Sequence, residues 1–226
     1  MRSGRDELRE RVRVAIQRTR LGRPAKSVIM VGLRGVGKTV LLNQMFMEAE
    51  AADICAIYID AHENQSLPEI LIPQLRMSLL CLRRLDAAQD SAVRGLKALA
   101  GFAKGLKVKF RDIELAVDYD LEPGLADNGD LESDLTTLLV EIGRAARSAK
   151  TALVIFIDEL QCVKEEELAS LITALHRVSQ LGLPVMLIGT GLPQLRGRAG
   201  NAKSYAERLF DYPAIGPWTV NAQPKP

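Results

Sequence analysis

A three-layer α/β fold, with helices covering both faces of a parallel sheet, is what this sequence predicts, and three observations carry the prediction. Short apolar runs rich in β-branched residues recur as near-continuous hydrophobic stretches, the pattern of strands buried on both faces. Helical periodicities lie between these runs, so strands and helices alternate. The first run, Val28–Val31, leads directly into Gly32-Leu33-Arg34-Gly35-Val36-Gly37-Lys38-Thr39. That is a G-x-x-x-x-G-K-T phosphate-binding loop, placed between a strand and a helix as its mechanism requires.

The elements follow in chain order. Arg2, Arg5, Arg9, Arg11, Arg13, Arg18, Arg20, Arg23 and Lys26 crowd the N-terminal segment against Asp6, Glu7 and Glu10. Leu8, Val12, Ala15, Ile16 and Thr19 share one side of a helix. This segment, residues 1–23, reads either as a surface helix packed on the core or as a basic helix that meets phosphate backbones or a partner. The acids within it and the scarcity of Ser argue against a mitochondrial presequence. After the glycine loop a helix should run from about Lys38 to Ala49, and Ile54–Ile59 should form the second strand. Residues from about 81 to 130 break the rhythm. Val93, Leu96, Leu99 and Phe102 suggest a short, glycine-interrupted helix. Leu106–Phe110 and Ile113–Tyr119 alternate with period two around Arg111-Asp112, an inserted β-hairpin with one apolar face.

Regular alternation then resumes. Leu131, Leu135, Leu138, Leu139 and Ile142 follow Asp130, an N-cap. Leu153–Ile157 is a strand that ends in Asp158-Glu159. Leu168, Leu171, Ile172 and Leu175 form the next helical stripe after Glu165-Glu166-Glu167, acids that complement a helix N-terminus. Pro184 stops that helix before the strand Val185–Ile188, and Ala214–Ile215 is a weak fifth strand. The chain therefore divides into the basic helix, one nucleotide-binding domain over 24–217 with the insertion, and a polar tail over 218–226.

Composition narrows the function classes. A net charge of +2 does not mark a nucleic-acid binder by itself. The three cysteines, Cys55, Cys81 and Cys162, form no C-x-x-C pair, and His62 and His176 lack metal-ligand spacing. A reduced, cytoplasmic setting with ordinary thiols is the expectation. No secretory signal is visible, and no apolar run reaches the length of a membrane span.

The chemistry centres on the glycine loop. Its glycines let consecutive N–H groups turn toward phosphate oxygens, with Lys38 reaching the β- and γ-phosphates and the Thr39 hydroxyl placed for Mg²⁺. The strand ending in Asp158-Glu159 has the form of a Walker B element. Asp158 would hold the Mg²⁺ shell, and Glu159 would orient and activate the attacking water. Thr190, between Gly189 and Gly191 after the next strand, can hydrogen-bond the γ-phosphate or the water, or serve only as a turn residue. No N-K-x-D guanine-reading motif is supplied by Asn201-Ala202-Lys203-Ser204, and no kinase motif set is present, so ATP is the nucleotide by elimination.

Together with Ile157-Asp158-Glu159-Leu160-Gln161, Gly191-Leu192-Pro193-Gln194-Leu195 and Lys203–Phe210, this loop resembles those of prokaryotic AAA+ ATPases. The nearest group is the origin-recognition-like proteins, neighbours of the STAND ATPases, and the resemblance covers about Pro24 to Gly216. It implies a five-stranded sheet of the additional-strand, catalytic-Glu type and an Mg²⁺-dependent ATPase driving conformational or assembly change. It also implies that Arg208 is an arginine finger reaching a neighbouring subunit in a homo-oligomer, with Arg196 and Arg198 as substitutes. Such modules continue into a helical lid, and the origin-recognition type adds a winged-helix DNA reader. Here Trp218–Pro226 is a polar, Pro-containing tail, so the expectation is either a truncated product or a lid supplied from elsewhere, with turnover needing a neighbour or that lid. The rival expectation is a non-catalytic ATP-dependent switch, with DNA or protein as partner.

Overall fold

The computed structural model describes residues 4–106 and 122–217. Five strands form one sheet: β1 (Ser27–Val31), β2 (Cys55–Asp60), β3 (Leu153–Asp158), β4 (Val185–Gly191) and β5 (Phe210–Asp211), in the order β2-β3-β4-β1-β5. Every pairing is parallel. β4 thus separates the strand before the glycine loop from the strand that ends in Asp158, as the additional-strand arrangement requires. The fifth strand differs from expectation: Phe210–Asp211 pairs with Ser27–Val28, while Ala214 makes only an isolated bridge to Val31. Pro213 explains the break, because proline has no N–H to continue a ladder.

Strand geometry explains why the apolar runs show no polar alternation. Successive side chains point to opposite faces, and both faces are buried. Leu153, Ile155 and Ile157 join one core, while Val154 and Phe156 join the other. The first core lies under α3 (Leu67–Arg83), α4 (Gln89–Gly105), α5 (Leu131–Ser148), α6 (Glu165–Gln180) and α7 (Leu195–Ala202). The second lies under α1 (Gly4–Arg20) and α2 (Lys38–Ala51). A short α8 (Ala206–Leu209) precedes β5.

The basic N-terminal segment is a surface helix packed on the core. Leu8, Val12, Ile16 and Thr19 of α1 are buried. Its arginines are largely committed to the protein itself. Arg9 Nε donates to Glu48 at 2.9 Å, Arg11 pairs with Asp211, and Arg18 Nε and Arg20 Nε donate to the carbonyls of Pro24 and Lys150 at 3.1 and 2.9 Å.

Two helices depart from the sequence reading. α3 lacked any expectation, although Ser66 and Glu69 form a capping box around its first turn. The helix expected to be short and glycine-interrupted is instead α4, 17 residues long. Its glycines are close-approach points, not breaks: a Cβ on Gly95 would collide with the Leu79 side chain, and one on Gly101 with the Leu125 carbonyl. The hairpin read at Leu106–Tyr119 falls, apart from Leu106, on residues 107–121, outside the described residues. Asp130 caps α5 as expected, accepting from Ser133 N at 2.7 Å. Among the described residues no helix is long and apolar enough to cross a membrane.

Candidate functional site

β1 delivers the glycine loop to the carboxyl end of the sheet, the edge where ligands of open α/β sheets bind. Gly35 and Gly37 have φ of 78° and 83°, the left-handed region that curls the loop ahead of α2. Gly32 admits no side chain, because a Cβ there would strike the Ile215 carbonyl. Leu33, Arg34 and Gly35 are exposed, Val36 is buried, and Thr39 is exposed at the first turn of α2.

Lys38 is only 5% exposed, and its Nζ donates to the carbonyls of Gly32 and Leu33 at 3.0 and 2.9 Å. Among the described residues no carboxylate pairs with it. A buried ammonium held by neutral acceptors alone is poorly compensated, so the loop's chemistry suits an anion. The α2 N-terminus, with its free N–H groups and positive dipole end, favours the same occupant. The site thus fits the phosphates of a nucleotide. The exposed Thr39 hydroxyl and the Asp158 carboxylate fit the hard, oxygen-seeking ion that accompanies such phosphates.

A short chain of contacts joins this loop to the acidic strand end. Gly32 N donates to Gly191 O at 3.2 Å, and Gly191 follows Thr190. Thr190 is fully buried, and its hydroxyl donates to Asp158 Oδ1. Glu159 N donates to the same Oδ1 at 3.0 Å and to Thr190 Oγ1 at 3.3 Å. The parallel pairing of β3 with β4 creates this meeting by setting Ile157 beside Gly189. Asp158, Glu159 and Thr190 are therefore brought together with the loop, although far apart in sequence. Asp158 is 2% exposed, while Glu159 is half-buried.

Residues without an assignment from the sequence also line this end. Tyr58 of β2 faces Asp158, and burial, then Asp158 and Asp60, push its phenol up to about 12. Gln161, at the short turn after Glu159, donates its amide to the Glu159 carboxylate and accepts from Leu192 N at 3.2 Å. Arg5 of α1 reaches the loop from the other side, donating to Val36 O at 2.6 Å and Gly216 O at 3.1 Å. Beside it, Leu8, Arg11, Pro213 and Ile215 help to line a groove of about 360 Å³. Gln161 closes the Ile157–Gln161 motif, but nothing in the sequence links Arg5 to Val36.

The arginines near the end of the described chain separate into different environments. Arg198 is turned inward, donating to Gln161 O at 2.7 Å and Val163 O at 3.0 Å. Arg196 lies 3.8 Å from Glu207 and over the Tyr212 ring. Arg208 is exposed on α8. The nearby carboxylates along the chain pair with other arginines, Glu207 with Arg196 and Asp211 with Arg11.

Residues 3–188 match the family described as AAA ATPase domain. No curated protein matches with significance. A solved structure of Drosophila ORC bound to AT-rich DNA and Cdc6 is similar at a TM-score of 0.52 and 9% identity, with 96% of this chain and 57% of that one covered. The Aeropyrum pernix ORC1 protein in complex with DNA is similar at a TM-score of 0.50 and 15% identity, with 97% and 47% covered. At these identities the likeness speaks to the fold, and this chain spans about half the length of both. Fold, loop and family match agree: the chain belongs to the AAA ATPase domain family.

Proposed function

We propose that this chain binds ATP with Mg²⁺ and hydrolyses it, using the free energy for conformational or assembly change. The observation that carries the reading is the contact chain from Gly32 through Gly191 and Thr190 to Asp158 and Glu159. It supports a single site with a phosphate side and a water side. The loop amides and Lys38 hold the phosphates, while Thr39 and Asp158 hold the ion. Mg²⁺-ATP, when bound, would supply the electrophilic γ-phosphorus, and the ion would offset part of the negative charge on the phosphate oxygens. Glu159 orients the attacking water and draws off its proton. Thr190 senses the γ-phosphate from its place beside Asp158, and Arg208 serves a neighbouring subunit. The groove beside Arg5 is sized for the nucleoside.

The rival reading, a nucleotide-dependent switch with little turnover, draws on the Glu159 carboxylate's engagement with Gln161. A DNA partner is a further proposal, prompted by the DNA in both similar structures. The internal bonding of the α1 arginines speaks against α1 as its contact surface.

Single-turnover hydrolysis and nucleotide binding test the reading together. Glu159→Gln is expected to keep ATP bound while cutting hydrolysis by about 10²–10⁴-fold. Lys38→Ala is expected to weaken ATP binding by about 10–100-fold, the scale of lost hydrogen bonds to a charged group. Unchanged hydrolysis in Glu159→Gln would sink the assignment.

A further inference from the structure

Glu159 sits in a backbone conformation that needs explaining. Its φ is 53° and its ψ 42°, a left-handed conformation that a non-glycine residue adopts at a cost and that persists where surroundings over-determine it. The surroundings here are specific. Glu159 N is held by Asp158 and Thr190, and Glu159 O accepts from Cys162 N at 2.8 Å. The side chain has its own partner two residues on, since the Gln161 amide donates to the Glu159 carboxylate.

The orientation of that amide is fixed by chemistry. A carboxylate only accepts and the backbone N–H of Leu192 only donates, so Gln161 must present nitrogen to Glu159 and oxygen to Leu192. Gln161 is thus a strut between the water-side carboxylate and the chain just past β4. Its own backbone is clamped as well. The two guanidinium ends of Arg198, on α7, hold the carbonyls of Gln161, inside the turn, and Val163, just past it. Any displacement of α7 therefore pulls on the residue that holds Glu159.

We propose that Gln161, backed by Arg198, is a positioning residue that sets the Glu159 carboxylate and couples it to α7. The proposal rests on the ATPase reading of Glu159. Arg198 acts from within its own subunit in this role, not as a finger for a neighbour.

Gln161→Met keeps the side chain's length but removes both hydrogen bonds. It is expected to lower kcat by about tenfold, the scale of a misplaced reacting group, with KM within twofold of the native value. Arg198→Met should do the same more weakly. The deciding comparison is the double-mutant cycle with Glu159→Gln, read by single-turnover hydrolysis of radiolabelled ATP. If Gln161 works through Glu159, Gln161→Met costs nothing further in the Glu159→Gln background. An equal loss in both backgrounds overturns the proposal, because a merely structural role would cost the same in each.

Absence of turnover in the native chain would count against the ATPase reading, and a second measurement then decides the positioning claim. The Gln161 side-chain NH₂ signal in a ¹⁵N NMR spectrum, assigned by its loss in Gln161→Met, should shift in both Glu159→Gln and Arg198→Met. A signal unmoved by either substitution overturns the strut. A signal moved by both upholds it.

Discussion

Tyr58 shows how much a single side chain can report about the site. Its phenol is raised to about 12 first by burial and then by the charges of Asp158 and Asp60. An ordinary tyrosine ionises near pH ~10. The folded chain therefore holds this proton where the unfolded chain releases it, so the contribution is intact below about pH 10 and is lost as pH climbs toward 12. Tyr212, also pushed up to about 12 by burial, adds to the same loss. Tyr58→Phe should accordingly flatten, without abolishing, the fall in urea stability between about pH 10 and 12. An unchanged pH dependence would mean that the Tyr58 phenol is not buried at this end of the sheet. Thr190 and Asp158 illustrate a different limit. Their residue types suggested chemistry, but their direct bond depends on the register between two strands.

Among the elements, α4 best separates composition from context. Helix propensity treats its two interior glycines alike, each costing ~1 kcal/mol relative to alanine. Their neighbours differ. A methyl on Gly101 meets the Leu125 backbone carbonyl, which cannot move without its chain, whereas one on Gly95 meets the end of the Leu79 side chain. Gly101→Ala should destabilise the fold by about 1–3 kcal/mol, the usual cost of overpacking. Gly95→Ala should cost clearly less, since repacking of Leu79 and gained helix propensity offset each other. Urea denaturation of the two variants checks the order, and equal losses would refute it. In α1 the apolar stripe was legible because a period of 3.6 fixes which residues share a face. The fate of its arginines was not legible, because their acceptors lie as far away as Lys150 and Asp211.

For the whole molecule, strand order determines what the site can be. Placing β4 between β1 and β3 sets Thr190 between the phosphate loop and the acidic strand end. The same arrangement leaves Arg208 exposed on the surface past β4, with Glu207 and Asp211 held by other arginines. If Arg208 completes a neighbour's site, turnover per subunit should rise with protein concentration, and Arg208→Ala should abolish that rise while leaving ATP binding by the isolated chain intact. A concentration-independent rate, in native chain and variant alike, would remove Arg208 from the reaction.

Sequence by itself determined the glycine loop, the Asp158-Glu159 strand end, the first four strands and the apolar stripes of α1, α5 and α6. Each is a local pattern, written in φ/ψ permissions, helical or strand periodicity and residues adjacent along the chain. It missed α3 despite the Ser66–Glu69 signal, and it misread α4 because glycine's helix penalty says nothing about the room around it. Tertiary structure alone decided that Thr190 bonds Asp158, that Gln161 accepts from Leu192, that Arg198 turns inward and that Arg5 ties α1 to the phosphate loop. Those contacts join residues as far as 37 positions apart and depend on strand order, register and packing. No periodicity encodes them, since they exist only once the sheet has brought separate segments to one edge.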